Sequence, residues 1–536
     1  MLKTVNNKNN KDLRVLNWWQ GAVIYQIYPR SFCDSNGDGI GDLKGITSKL
    51  DYVAGLGVDG IWISPFFKSP MHDFGYDVSD FRQVDSIFGT LEDFDKLLAK
   101  AHALGLKVII DQVYSHASIE CDWFKESRKG PEGDKADWFV WADAKADGGP
   151  PNNWQAVFAG PAWTWCTHRK QYYMHNFLPE QPDLNLHNPD VQEEMLAVAR
   201  FWLERGVDGF RLDATNHYMH DPELRDNPAY EGAESNKPFD MQDQIYNQSH
   251  PDITKFLKRL RALMDEYDAF TVAEVGGRRS LQEMAEYTEG DDLLHTAYSF
   301  IFLEEDNLSA GAIRKALIDW EGQTDSWPSW TFSNHDRKRV VSRWMRGQNR
   351  QDFANAMNAL LLALRGTIFM YQGEELGLQH ADVPFERLVD PEAIKNWPDT
   401  LGRDGCRTPM PWHNAAESGG WPSYTWLPID ERHYDLAVCQ QENTQISNLK
   451  FTRDLIAFRK QHSALKAGSI TFLESDEPVL AFIREDAEEK LLCVFNLGEA
   501  EADWCAEAYE GEILLPLMGA GPDKPLPVCG GYIMKL

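Results

Sequence analysis

Short apolar runs recur along the chain at regular intervals. Val23–Tyr28, Gly60–Ile63, Leu106–Ile110, a run ending at Asp213, Phe270–Ala273, Thr296–Ile301, Trp330–Phe332 and Thr367–Met370 are short runs, three to six residues where both ends are given, rich in apolar and aromatic side chains. Continuous apolar runs without alternation predict parallel strands covered on both faces. Between them lie stretches with apolar positions at helical spacing. Phe94, Leu97, Leu98, Ala101 and Leu104 form one stripe, opened by a Thr90/Asp93 capping pair and stopped by Gly105. Val191, Met195, Val198 and Trp202 form another, opened by Asn188-Pro189 and stopped by Gly206. Strand and helix repeated eight times predict an α/β fold, a (β/α)8 TIM barrel.

Two connections are too long for a plain barrel. Residues 115–187 follow the third strand, are rich in Trp, Pro, Gly and Asn, and read as an inserted domain. Residues 374–430 follow the eighth and read as a loop subdomain. The barrel then comprises 1–114 and 188–460. From 461 to 536 the pattern turns to alternating strands, which predict a C-terminal β-sandwich without chemistry of its own.

The 536 residues carry 83 acidic against 53 basic side chains, a net charge of −30. That excludes nucleic acid as a partner, since binding it needs a basic face. No apolar run is long enough for a membrane span, and the polar start Met1–Lys11 has no secretory h-region. The eight cysteines are scattered with no C-x-x-C pair, which reads as free thiols in a reducing, cytoplasmic setting. The expected assembly is a monomer or homodimer.

Candidate chemistry gathers at the strand ends, where barrels of this type place their active sites. Asp111 and His116 follow the third strand, Arg211 and Asp213 the fourth, Glu274 the fifth, and His335-Asp336 the seventh. Arg211 and Asp213 share one face of a strand, and the cation is expected to keep Asp213 ionised and its pKa low. Glu274 lies in an apolar context that would raise its pKa. An ionised and a protonated carboxyl facing one pocket are the equipment of glycoside hydrolysis, with Asp213 as nucleophile, Glu274 as acid and Asp336 as a third acid holding sugar hydroxyls.

The motifs Asp111-Gln112-Val113-Tyr114-Ser115-His116, Gly209-Phe210-Arg211-Leu212-Asp213, Ala273-Glu274-Val275 and Ser333-Asn334-His335-Asp336 together resemble glycoside hydrolase family 13, the α-amylase superfamily. Gln181-Pro182-Asp183-Leu184-Asn185 resembles its oligo-1,6-glucosidase and α-glucosidase branch. The resemblance implies a retaining, exo-acting α-glucosidase that releases or transfers single glucosyl units. The roles it implies for Asp213, Glu274 and Asp336 are nucleophile, acid/base and transition-state stabiliser. It further implies that Tyr76 stacks on the sugar, Asp73 holds a distant hydroxyl, and an arginine, Arg403 with Arg407 as second choice, pairs with Asp73 and closes the pocket. His116 and His335 would donate to sugar hydroxyls, and Phe158 and Phe177 would form apolar walls.

Asp34-Ser35-Asn36-Gly37-Asp38-Gly39-Ile40-Gly41-Asp42 follows an EF-hand pattern through its sixth position, then departs from it, with Gly45 at the twelfth. It resembles the family branch's calcium loop, implying a structural Ca2+ (or Mg2+) held by Asp34, Asn36, Asp38, Asp42 and the Ile40 carbonyl. Ala214, just after Asp213, departs from the valine of α-1,6 enzymes and the threonine of α-1,4 enzymes in the family. Linkage stays open between the two, with α-1,4 preferred. Sucrose isomerisation, trehalose synthesis and α-1,6 hydrolysis are the alternatives within the fold. Pro384–Asp390 lacks the arginine-rich loop of the isomerases. A non-catalytic, membrane-anchored transporter subunit is disfavoured, because all three acids are present and no span is.

Overall fold

In a computed structural model, the described residues are 16–158, 160–232, 237–398, 400, 402–504 and 509–536. The N-terminal reading of Met1–Lys11 and Cys505 lie outside them.

Eight parallel strands close into a barrel. They are β1 (Val23–Ile27), β2 (Gly60–Ile63), β3 (Lys107–Gln112), β4 (Gly209–Leu212), β5 (Phe270–Val275), β6 (Thr296–Ser299), β7 (Trp327–Trp330) and β8 (Thr367–Tyr371). Each pairs with its sequence neighbours, and β8 returns to β1 through Val23↔Ile368 and Tyr25↔Met370. The seventh strand differs from expectation: it starts at Trp327 and ends at Trp330, not at Phe332. Pro328 lacks an amide hydrogen and so reads as a strand breaker, yet it holds the register Ala297↔Pro328 at the ladder's edge.

Side-chain alternation sorts the strands into two faces. Ile24, Trp62, Ile109, Val272, Tyr298 and Phe369 form a core inside the barrel. Ile110, Phe210, Leu212 and Ala273 belong to the main core outside it. Asp111 lies two residues beyond Ile109 and Glu274 two beyond Val272. The inward face therefore turns from apolar to acidic at the C-terminal ends of the strands.

The helices that cover the barrel form where the pattern places them. In α1 (Leu43–Gly55) the Asp42 side chain caps by accepting from the Gly45 amide. In α2 (Leu91–Ala103) Thr90 and Asp93 form the full capping box. In α3 (Pro189–Glu204) Asn188 accepts from the Asp190 amide, and Val191, Met195, Val198 and Trp202 are buried. Next comes α4 (Ile253–Asp265). The connection after β3 holds a three-stranded antiparallel sheet of Trp141–Ala142, Gln171–Met174 and Trp163–Cys166, with its own apolar cluster around Trp154 and Trp163. The C-terminal β domain is a five-stranded antiparallel sheet spanning Ser469–Lys535. Phe482, Cys493 and Phe495 face the barrel. Ala481, Leu492 and Val494 face a layer that includes Ala502, Ala520 and Leu526. None of the seven described cysteines forms a disulfide, and no described helix is long and apolar enough to cross a membrane.

Arg459 fastens the barrel's closing seam. Its guanidinium is fully buried and donates to the carbonyls of Gly21, Leu362, Leu364 and Gly366, around the entrances to β1 and β8. Arg459→Met leaves those carbonyls without partners, at a cost of about 2–4 kcal/mol. The expected result is a thermal midpoint several degrees below wild type by differential scanning calorimetry; an unchanged midpoint would show the seam is held otherwise.

Candidate active site

One guanidinium organises the C-terminal mouth of the barrel. Arg211 is fully buried at the end of β4. Its Nη1 contacts Asp111 Oδ1 at 2.7 Å and Asp213 Oδ1 at 2.6 Å, and its Nη2 contacts Glu274 Oε1 at 2.5 Å. Trp62 lies 5.0 Å from the cation, and the Tyr298 hydroxyl accepts from it at 3.3 Å. Three carboxylates thus share one positive charge. Asp111 is fully buried, whereas the side chains of Asp213 (10%), Glu274 (7%) and Asp336 (17%) stay partly open. Asp111 therefore acts as a buried brace, and the other three acids are those a ligand can touch.

The expectation that Arg211 holds the Asp213 pKa low is corrected. Burial is the largest influence and outweighs the arginine, pushing Asp213 up to about 7. Burial likewise raises Glu274 to about 7 and Asp111 to about 6. Three like charges around one cation cannot all ionise cheaply, so the cluster retains a proton near neutral pH. Asp336 is the opposite case. It too is buried, but His335, Arg407 and Arg403 draw its pKa well below the ordinary range.

Asp336 Oδ1 accepts from Arg407 Nη2 at 2.7 Å, with Arg403 Nη1 at 3.6 Å and His335 Nε2 3.2 Å from Oδ2. The Gln26 amide meets His335 Nδ1 at 2.8 Å, which leaves the ring hydrogen on Nε2. Burial lowers the His335 pKa to about 3, so the ring is neutral. Tyr76 stacks on His335, with centroids 5.4 Å apart and planes 12° from parallel. Its hydroxyl lies 2.5 Å from His335 Nε2 and 3.1 Å from Asp111 Oδ2.

One side of the pocket is closed by an ion-pair chain. Arg403 Nη2 donates to Asp73 Oδ1 at 2.7 Å and to Asp390 Oδ1 at 2.8 Å. Of the two arginines considered, Arg403 makes this pair and Arg407 holds Asp336. Gln181 Nε2 donates to the other Asp73 oxygen at 3.1 Å. Phe158 lies 4.7 Å under the Arg403 cation and 5.8 Å from Phe177. Phe177 in turn meets His116 at 5.1 Å. His116 is buried and neutral, its pKa lowered to about 3, and its Nε2 lies 3.0 Å from the Tyr76 carbonyl.

The structure thus brings Asp73, Tyr76, His116, Phe158, Phe177, Arg211, Asp213, Glu274, His335, Asp336 and Arg403 into one connected cluster of contacts. Sequence reading missed Trp62, Tyr298 and Asp390. Asp390 precedes Pro391 and reads as a helix cap, which it is, accepting from the Glu392 amide; nothing local announces that it also holds Arg403. Ala214 sits in the left-handed region (φ 42°), and its amide donates to Glu274 Oε2 at 3.1 Å.

The 34–42 loop lies apart from this pocket. Asp34 accepts from the amides of Asn36, Gly37 and Gly39, and Asp38 from that of Ile40. Asp42 accepts from the Ser35 and Gly45 amides. Gly39 has φ +85°, and a Cβ there would meet the Tyr424 carbonyl at 2.4 Å, so the loop is pressed against the 424 segment. Among the described residues no lysine or arginine pairs with Asp34, Asp38 or Asp42. Three carboxylates without a salt-bridge partner, an amide and a carbonyl are the hard oxygen donors that calcium and magnesium take. Their carboxylates are not gathered within 4.8 Å of one another, so an ion would draw them together.

The chain is similar to known proteins over nearly its whole length. Residues 26–468 match the model of the alpha amylase catalytic domain, and residues 470–527 that of the maltogenic amylase C-terminal domain. A probable alpha-glucosidase of Rhizobium meliloti (strain 1021) is 51% identical over 97% of both chains. An oligo-1,6-glucosidase of Heyndrickxia coagulans is 37% identical over 90% of this chain and 92% of its own. The crystal structure of the alpha-glucosyl transfer enzyme XgtA superposes with a TM-score of 0.94 at 50% identity, covering 97% of this chain and 100% of that one. The chain belongs to the α-amylase family, glycoside hydrolase family 13, and is a glycoside hydrolase.

Proposed function

We propose that the protein is a retaining, exo-acting α-glucosidase that releases or transfers single glucosyl units from the non-reducing end of short α-glucosides. The observation that carries this reading is the Asp73–Arg403–Asp390 chain beside the Arg211 cluster. A pocket blocked by buried ion pairs has room for one terminal sugar ring rather than a continuing chain. The names of the relatives, an alpha-glucosidase and an alpha-glucosyl transfer enzyme, point the same way.

In this reading an Asp213 oxygen attacks the anomeric carbon as the bond to the leaving oxygen breaks, and that oxygen takes the proton of Glu274. The glucose is then held as an ester of Asp213. Water, or a hydroxyl of a second sugar, gives its proton to Glu274 and attacks the same carbon, and the ester bond breaks. Two displacements restore the starting configuration. Asp213 and Glu274 oxygens on the two nitrogens of one guanidinium suit the short carboxyl separation of a retaining site. Asp336 stays ionised beside the ring and favours positive charge on the sugar in the transition state. The 34–42 loop holds a structural calcium or magnesium ion, with Asp34, Asn36, Asp38, Asp42 and the Ile40 carbonyl as ligands.

Incubation with maltose, isomaltose, sucrose and trehalose tests the reading: glucose and glucosyl-transfer products are expected from maltose, with none from Asp213→Ala. Long maltodextrins cut internally, or an active Asp213→Ala, would refute it.

The pH profile tests the acid. Glu274 must carry a proton in the first step, and burial raises its pKa to about 7. Glu274 can donate below that value and loses its proton as pH rises through it, while Asp213, also raised to about 7, must be ionised to attack, so activity should peak near neutral pH and fall on both sides. The expected kcat/KM profile has an alkaline inflection near about 7, and Glu274→Gln should cost about 10²–10⁴-fold with an unactivated leaving group. An alkaline limb beyond about 9 would exclude a carboxylic acid as the proton donor.

Stripping divalent ions with a chelator tests the loop. An ion present at a hundredfold its dissociation constant adds about 2.7 kcal/mol, so the thermal midpoint should fall on chelation and return with calcium or magnesium. In Asp38→Ala the chelator should have little effect. A wild-type midpoint indifferent to chelation would leave the loop a plain turn.

A further inference from the structure

A second cluster of ligating side chains lies outside the pocket. His187, His250 and Asp252 each offer one ligand atom, and these atoms lie within 4.8 Å of one another, all three residues half-buried. His187 immediately precedes the Asn188 cap of α3, and Asp252 immediately precedes α4. Residues 188–249 separate the two halves of the cluster along the chain, so the fold and not local sequence brings them together.

We propose that His187, His250 and Asp252 form a site for a divalent transition metal of the zinc class, distinct from the oxygen-lined 34–42 loop. Two imidazoles and one carboxylate are borderline donors that favour zinc, nickel, copper or iron over calcium. The protonation states suit the task. His187 Nε2 lies 2.7 Å from the His220 carbonyl, which fixes the ring hydrogen there and leaves Nδ1 with a free lone pair. A ligating histidine ordinarily donates its other ring hydrogen to a carbonyl or carboxylate in this way. His250 makes a long contact, accepting from the Asp252 amide at 3.2 Å through Nδ1. The metal either displaces that contact or binds Nε2 after the proton moves, and proton release on binding is general for such sites. Lys255, 2.7 Å from Asp252 Oδ1 and mostly exposed, is the one cation at the carboxylate among the described pairs, and it can swing into solvent.

The rings of His187 and His250 meet edge to face with centroids 4.9 Å apart, and His220 packs on His187 at 5.2 Å. A metal here would pin the start of α4 to the end of the 115–187 segment. It would thereby tie together the ends of two connections, the 115–187 segment after β3 and the 214–252 segment after β4. Three protein ligands leave at least one coordination position to water.

The test uses untagged full-length protein freed of metal by chelation and dialysis, titrated with zinc chloride by calorimetry in the presence of saturating calcium. One zinc per chain is expected, with affinity lowered at least about tenfold by His250→Ala and by Asp252→Asn. X-ray absorption of the zinc complex should show nitrogen and oxygen neighbours at about 2.0–2.2 Å. Asp252→Asn changes a side chain that is 40% exposed, so it tests the site even if His250→Ala fails to fold. No zinc binding, or equal affinity in wild type and Asp252→Asn with native circular dichroism, would overturn the proposal. Full zinc affinity in Asp213→Ala separates this site from the glycosidase reading.

Discussion

The structure depends on a positive charge buried where no solvent can hold it. Arg211 sits at the centre of the barrel mouth with no exposed surface. Removing a guanidinium from water is costly unless every face is met by an acceptor or an aromatic ring. Asp111, Asp213, Glu274, the Tyr298 hydroxyl and the Trp62 face meet it here. The same contacts fix the acids relative to each other, because two nitrogens of one rigid plane set the spacing. Stability and chemistry are served by one arrangement: the carboxylates satisfy the arginine, and the arginine stops three carboxylates from repelling one another apart.

That constraint also explains why the acids titrate differently. Asp213 and Glu274 draw on a single shared cation, so burial wins and both rise to about 7. Asp336 draws on Arg403 and Arg407 as well as on a neutral histidine that donates to it, and it falls. Burial alone does not decide a carboxyl's charge; the number of cations per carboxyl does. Arg211 is shared by three carboxylates, whereas among the described pairs Arg407 holds Asp336 alone and Arg403, shared with Asp73 and Asp390, adds to it. The pocket therefore combines a site that can hold and release a proton with a site that stays negative.

Much of this was legible in the chain because it depends on local rules. Period-2 alternation carries Asp111 and Glu274 to the inward face once the strands are placed, and strand ends are where this barrel gathers its chemistry. Helix caps at Thr90 and Asn188 are local pairings, and both form. What escaped was non-local. Asp390 and Arg403 are thirteen residues apart with no shared motif, and the Asp73–Arg403 pair, 330 residues apart, was implied by family resemblance and not by any local pattern. The seventh strand runs Trp327–Trp330, ahead of the apolar run Trp330–Phe332, and includes Pro328, a residue that local rules disfavour in a ladder. The low pKa expected for Asp213 failed for a related reason. A motif shows one arginine beside one aspartate, and only the closed barrel adds Asp111 and Glu274 to the same cation.

The oxygen-lined loop and the histidine cluster differ in the same way. The 34–42 loop keeps its donors within nine residues, so its pattern can be read from spacing, as short-loop calcium sites generally can. His187 and His250 are separated by a strand, a helix and a long connection, and nothing in their flanking sequence sets them apart. A ligand set assembled by tertiary structure forms only when α3 and α4 are seated against their strands. A metal bound there would report the seating of those helices, and so the integrity of the connection leading from Asp213, which a metal in the 34–42 loop could not do.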